Sequence, residues 1–588
     1  MIKAPQMLWM EPPHVSQQGD HIYRTRQPGK ALAKVGGFSI SNESLVHPHA
    51  LESLRNSQLL LLCDTIDIDM LPALQHRITH HLPFIYEIND SFTNVQHWNP
   101  TTTFYQNELN QSLIQWAAHK SNLLQFSMPH LQELYGYLNP NQVVFPNHLL
   151  ELPKTQSPTN SSCINIGWGG SWGHRDDLLS ILPCIRDLLL EIPELTFSLM
   201  GAEAFKAILK SELPEGRWKY TPQNSLEKYY DFLSTLHIGI APLLDTEFNR
   251  CRSDIKFLEY AGHGVVPIVS DLAPYQMAVE NGKTGFVYGS PTELSQQIKR
   301  LIENPNLRRE IQTNCRSYVA KHRIENLNVE QRANQYCQLR GSPPPTNQST
   351  SNEFVSLPYG NLEKSVIMGL SQSPQNIPPA ALQLIREGAG HHYWCDYLVE
   401  IKFAAPETLQ NNDFQSFLER YPQSIRGHWD YVTHLDSRNA CHLDAALHHL
   451  MRLFPAFPLS FEKLSNLYET KNNLSEARQL RKNGIRANPF YRPLRRALAI
   501  QEMEVREFSN ALNTLGDENP TFDWNDFLLQ AKIHRQTADL PKLQQSLEAA
   551  KKALEKKPSH IGLTELAREA LDSKDKTIAN WAVQMLKS

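Results

Sequence analysis

Two doubly wound α/β domains followed by an all-helical repeat array is the fold class this sequence predicts, and three observations carry it. From about residue 59 to 340, short apolar runs alternate with amphipathic helical stretches, the pattern of parallel sheets covered by helices. A polar stretch rich in Pro, Ser, Thr and Asn, Gly341–Pro358 (GSPPPTNQSTSNEFVSLP), ends that alternation. Beyond it, Pro422, Pro455, Pro489, Pro520 and Pro558 each close a short helical run, at spacings of 33, 34, 31 and 38 residues.

Within the α/β part, Leu59–Cys63, Phe84–Ile88 and Val143–Phe145 read as strands of a first domain. Ile164–Trp168, Leu195–Met200, Ile238–Ala241, Val265–Val269 and Gly285–Tyr288 read as strands of a second. Between the two sets lies Leu152–Ser162 (LPKTQSPTNSS), a polar, proline-bearing hinge. The expected boundaries are therefore 1–151, 152–340, a linker over 341–379, and helical repeats over 380–588. Two such sheets leave a cleft, and ligands bind at the carboxyl ends of their strands. The linker composition cannot bury enough apolar surface to fold alone.

Composition narrows the function. A chain of 588 residues exceeds one hydrophobic core, and about 150 residues per domain gives three or four units. A net charge of -4, with no long basic run, argues against a nucleic-acid binder. No run approaches the roughly 20 apolar residues that span a bilayer, and the start lacks a secretion signal. Eight scattered cysteines without a CxxC pair fit buried thiols in a reducing compartment. A cytoplasmic protein is expected, with peripheral contact at the inner membrane face compatible. The 24 histidines include three adjacent pairs, but no HExxH or regular Cys/His spacing, so they read as solvated or packing residues and no metal is expected.

Over the helical part, the period of the prolines is close to the about 34 residues of tetratricopeptide repeats. The best unit resembles that family at Phe461, Leu464, Tyr468, Ala477, Gly484 and Pro489. The resemblance implies an irregular solenoid with a surface for a protein partner; a plain helical bundle is the other reading.

The densest chemistry lies in FNRCRSDIKFLEYAGHGVVPIVSD, Phe248 to Asp271. Ser253 suits the N-cap of a helix running to about Gly262, and a helix N-terminus offers free N–H groups to a phosphate. Arg252 and Lys256 add cationic charge there. Lys256 and Glu259 are three apart and share a face, so the carboxylate is placed to accept hydrogen bonds from a ribose diol. Read by itself, the same segment is also an amphipathic helix carrying a surface Lys–Glu pair. Upstream, INIGWGGSWGHRDDL (Ile164 to Leu178) is a strand, a glycine-bearing turn and a helix, in which Gly169 and Gly170 permit positive φ and close backbone approach.

Leu258, Glu259, Tyr260, Ala261, Gly264, Pro267 and Ser270 resemble the LEYAA-x-G-x-P-V-x-S run of retaining glycosyltransferases with two Rossmann-like domains (the GT-B class). Phe248, Asn249, Arg252, Ser253 and Lys256 resemble the FN-x-x-K-S-x-x-K loop of one subgroup. Gly167, Gly170, Ser171, His174, Asp177 and Leu178 fall on its IGYxGSxxHxxDL turn. The resemblance covers about 55–340 and is absent before 50. It implies a hexosyltransferase-like enzyme without metal or other cofactor, moving a sugar from a nucleoside diphosphate-sugar to a glycan or protein acceptor with retention. Arg252, Lys256 and His174 would carry catalysis. Gly169, Gly170, Ser171, Tyr220, Asn249, Ser253 and Glu259 would bind the donor, and Asp90, in IYEINDSF, would lie on the acceptor side. Cys251 departs from the family, standing where a first acid is expected; Glu247 or Asp245 are substitutes. That departure also fits a non-catalytic nucleotide-binding scaffold whose repeats recruit partners.

Overall fold

The computed structural model describes residues 7–11, 21–35, 38–154, 163–340, 353–356, 360–516 and 518–587. Residues 155–162 of the expected hinge and 341–352 and 357–359 of the expected linker lie outside these. No helix among the described residues is long and apolar enough to cross a membrane.

Among the described residues, thirteen strands form two parallel sheets. They are β1 (Met7–Glu11), β2 (Ile40–Ser44), β3 (Leu59–Cys63), β4 (Phe84–Ile88), β5 (Leu123–Phe126), β6 (Gln142–Val144), β7 (Ile164–Gly170), β8 (Leu195–Gly201), β9 (Trp218–Pro222), β10 (Ile238–Ala241), β11 (Val266–Ser270), β12 (Phe286–Tyr288) and β13 (Phe354–Ser356). The first sheet runs β13-β2-β1-β3-β4-β5-β6 and the second β12-β11-β10-β7-β8-β9. Every pairing is parallel, as between β1 and β3, where Met7 faces Leu59 and Trp9 faces Leu61. Central strands are buried on both sides, which is why LLLLC at 59–63 is continuously apolar. This is the two-Rossmann α/β architecture the resemblance implies, followed by an all-helical region.

The structure adds strands at both ends of the first sheet's sequence. β1 lies in its interior, between β2 and β3, although MLWM followed by Glu and two prolines shows no strand periodicity. Within the stretch read as a linker, Phe354–Ser356 pairs with Ile40–Asn42 of β2, and 361–371 is helical. The Glu325–Arg340 helix, assigned from sequence to the second domain, packs Val329, Ala333 and Tyr336 against Met7, Trp9 and Ile85 of the first sheet. The chain thus returns to its first domain after completing the second.

The helical unit comprises Gln372–Ser588 together with Ile66–Gln75 and Thr101–Ala117. Helices end just before Pro422, Pro455, Pro489 and Pro558, because a proline removes the N–H donor and disfavours helix in the residue before it. A second punctuation is invisible in the sequence: positive φ recurs at Asn439, Asn472, Arg506, Ala538 and Lys574. Each follows the first helix of a pair, where the left-handed conformation reverses the chain. At Gly484 a Cβ would lie 2.6 Å from Leu494 and 2.8 Å from Phe461, so only glycine lets these helices approach. Arg426 anchors the 66–75 segment within this unit, its Nη2 2.7 Å from Asp67 Oδ2 and its backbone N–H 3.0 Å from Asp69 Oδ1.

Candidate functional site

The N-cap position of the Ile255–Gly262 helix is Asp254, not Ser253, and its side chain makes no capping hydrogen bond. The Asp254 carboxylate is held by Arg323 at 2.6 and 3.1 Å, while Ser253 Oγ accepts from Asn147 Nδ2 at 2.9 Å. Ser253 thereby ties the loop before the helix to the strand end after β6.

Arg252 Nη1 reaches Asp90, just past β4, at 2.8 and 3.1 Å, and its guanidinium lies 4.6 Å from the Phe248 ring centroid. Asp90 is therefore the counter-ion of Arg252. At the second residue of the helix, Lys256 Nζ donates to Glu259 Oε2 at 2.8 Å and to Tyr229 Oη at 2.7 Å. Glu259 is 4% exposed, not a surface group. Tyr23 Oη donates to its Oε1 at 2.9 Å and Tyr229 Oη to its Oε2 at 2.8 Å. A carboxylate has about four lone-pair positions. Three are filled, so one position, on Oε1, remains for a ligand, not the two a diol was expected to use. Tyr23 belongs to a π-helical turn, Ile22–Arg26, a backbone form that favours functional sites. Burial and the Glu259 charge push the Tyr23 and Tyr229 hydroxyls well above the usual phenol range, so both remain donors.

The glycine turn at the end of β7 differs in its reason from the sequence reading. Neither Gly169 nor Gly170 has positive φ. What they supply is space: a Cβ on Gly169 would lie 2.6 Å from the Tyr229 ring, and one on Gly170 would collide with Trp168. Ser171 precedes a short 3-10 turn, Trp172–His174, which leads into the Arg175–Glu191 helix. His174 Nδ1 lies 2.8 Å from Asp177 Oδ2. A carboxylate only accepts, so Nδ1 carries the hydrogen and Nε2 of the neutral ring is an acceptor. Burial lowers the His174 pKa, the Asp177 hydrogen bond opposes it, and Arg252 and Lys256 lower it further. The neutral ring therefore offers an acceptor, not a donor, at Nε2. Asp177 Oδ1 also accepts from Asn249 Nδ2 at 2.8 Å and from the Leu244 N–H at 2.8 Å, locking the 244–249 loop onto the turn.

Cys251 is fully buried. Burial first, then Glu247 and Asp90, push its thiol up to about 12, so it supplies no negative charge. Glu247, one turn earlier, binds His130 Nε2 at 2.8 Å. Tyr220 lies inside β9, and its hydroxyl donates to the Gly201 carbonyl at 3.1 Å.

The structure thus pairs Asp90 with Arg252, His174 with Asn249 through Asp177, and Lys256 with Glu259, while Ser253 bonds Asn147. Sequence reasoning missed Tyr23 and Tyr229. Tyr23 is 236 residues from Glu259 and carries no local signal, whereas Tyr229 is one of two adjacent tyrosines on an amphipathic helix, Leu226–Leu233.

Residues 182–338 match the family model described as glycosyl transferase-like. No curated protein matches the chain. Similar solved structures include a sucrose-phosphate synthase from Thermosynechococcus elongatus, at 12% identity over 57% of this chain and 99% of that one, with a TM-score of 0.44. Another is Anabaena HepE in complex with UDP and glucose, at 11% identity over 57% and 99%, TM-score 0.44. A third is the pneumococcal O-GlcNAc transferase GtfA in complex with UDP and GlcNAc, at 17% identity over 49% and 58%, TM-score 0.36.

Proposed function

We propose, taking the glycosyl transferase-like character of residues 182–338 as premise, that the protein transfers a hexose from a nucleoside diphosphate-sugar to a glycan or protein acceptor, with retention and without metal. The observation that carries the reading is the convergence of Arg252, Lys256 and a helix N-terminus above buried Glu259. Lys256 has three donors, two of them engaged, and its third faces a diphosphate in this reading. Arg252 exchanges Asp90 for phosphate oxygens as charge leaves with the diphosphate, and the helix N–H groups share that charge. The free position on Glu259 accepts a ribose hydroxyl, and His174 Nε2 accepts a hydroxyl from donor or acceptor.

Glu259→Gln keeps the shape and removes the charge. A hydrogen bond to a charged group is worth about 1.5–3 kcal/mol, so donor affinity in calorimetry should fall about 10–100-fold. Unchanged affinity would remove this helix from the donor site. Because arginine and lysine, not an acidic pair on Mg²⁺, neutralise the diphosphate, turnover should survive EDTA. Loss on chelation with recovery in Mg²⁺ or Mn²⁺ would contradict the mechanism.

The helical pairs, read as tetratricopeptide-like, supply a surface for the acceptor or a protein partner in this cytoplasmic enzyme. Gly484→Leu, which collides with Leu494 and Phe461, should leave nucleotide affinity within about twofold and abolish transfer to the natural acceptor, because the repeats form a compact unit of their own. Loss of nucleotide binding would count against that division of labour. Cys251, protonated at the place of an acid, favours a second reading, a nucleotide-binding scaffold without turnover. Hydrolysis assays over several nucleotide-sugars distinguish the two: nucleotide bound but never released from its sugar supports the scaffold.

A further inference from the structure

Glu247 and Cys251 stand four residues apart on one helical turn, His130 lies on the distant Pro129–Tyr135 helix, and their ligating atoms all come within 4.8 Å of one another. We infer that these three side chains form a binding site for a borderline-soft divalent cation of the Zn²⁺ type. This site rests on geometry alone and is separate from the nucleotide reading.

The donor set fits that ion. One imidazole nitrogen, one carboxylate oxygen and one thiolate are ligands zinc accepts together, and three protein ligands leave a position for water. Their charges add to two negatives and one neutral, which cancels a dication in a partly buried place. Bond lengths of about 2.0–2.3 Å place tetrahedral ligands about 3.3–3.8 Å apart. The His130 Nε2 to Glu247 Oε1 separation of 2.8 Å must therefore open by about 0.5–1 Å on binding. Cys251 gives up its thiol proton to solvent, the hydrogen that His130 Nε2 donates to Glu247 leaves as well while the ring keeps one on Nδ1 against Glu133, and the sulfur and Nε2 lone pairs form the bonds to the metal; no electrons are transferred.

A second observation points the same way. His130 Nδ1 lies 3.2 Å from Glu133 Oε2 on the same helix, leaving Nε2 aimed at Glu247. A carboxylate behind a ligating histidine fixes its tautomer and raises its basicity. The sulfur lies on the buried side with Ser91 against it, while His130 and Glu247 are partly exposed, so an ion enters from their side. Arg250, 3.5 Å from Glu247 Oε2, and Arg252, paired with Asp90, are the nearby cations, and Asp245 and Asp90 offset them. The residue types are spread over 121 positions, which is why no spacing in the sequence pointed to them.

The test is titration of the full-length protein with Co²⁺, followed by absorbance. One equivalent should bind with a near-ultraviolet sulfur-to-cobalt charge-transfer band, and Zn²⁺ should displace it. Cys251→Ser should remove that band. Glu133→Gln should weaken Co²⁺ binding about 10–100-fold, the usual cost of losing an outer carboxylate, and His130→Ala should weaken it more. Glu133 is an exposed side chain, so this variant keeps the fold and serves if Cys251→Ser does not. No Co²⁺ binding, binding without the band, or a band that survives in Cys251→Ser would overturn the inference, the last by assigning it to another cysteine.

Discussion

Arg252→Ala is expected to lower turnover by about 10²–10³-fold, the usual loss when one preorganised donor to developing charge is removed. Ground-state donor affinity should change by only a few fold. In the resting protein the guanidinium already holds Asp90 at 2.8 Å, so engaging the diphosphate first breaks that pair. The net gain in the ground state is small, and it grows as negative charge accumulates on the leaving group. Asp90 left behind is partly exposed and keeps water, so thermal stability should shift little. Arg252→Lys keeps charge but not the planar fork and should fall between. Lys256→Ala also depresses turnover, but it leaves the buried Glu259 without its cation, so its stability falls too. Turnover and calorimetry on the same variants separate the effects. An Arg252→Ala protein losing affinity and rate in equal proportion would place Arg252 in uniform binding.

The second large effect is on folding. Arg24 and Glu87 form an ion pair at 2.6 Å in the first sheet, 1% and 0% exposed. Arg24 Nη1 also donates to the Phe145 carbonyl at 2.7 Å and to Asn147 Oδ1 at 2.9 Å. Arg24→Leu strands the carboxylate in the core, and breaking a buried pair costs about 3–5 kcal/mol. Arg332, also buried and close enough to feel Glu87, keeps the cost near the lower end. Arg24→Leu with Glu87→Leu should recover most of the loss, since both charges leave together. Denaturant unfolding measures both. A loss under about 1 kcal/mol in the single variant would show that water reaches Glu87.

Elements with a local signature were legible in the sequence. β3, β4, β7, β8 and β10 to β12 are apolar runs between breakers, and four of the five repeat prolines mark helix ends. β1 was not, because a strand buried on both faces has no alternation and MLWM is too short to differ from a helical turn. β13 was not, because a single FVS in a Pro/Ser/Thr-rich stretch gains strand character only from the edge it joins. At the site, Arg252, Lys256 and Glu259 lie on one helix and its entry, so periodicity brought them together. The capping error at Ser253 came from ranking side chains: Asp254 is held by Arg323, from a distant segment, and that contact decides the register. Tyr23 and His130 reach their partners only through the fold.

The return of the chain to its first domain has a consequence for biosynthesis. The outer edge of β2 stays unpaired until Phe354–Ser356 emerges, about 310 residues later, and one helix covering the same sheet arrives only with Glu325–Arg340. During translation the first α/β domain therefore waits, with an open edge and uncovered Met7 and Trp9, while the second is completed. An open edge beside apolar surface invites pairing with another nascent chain. The first α/β domain is therefore completed only by residues that follow the second in the chain.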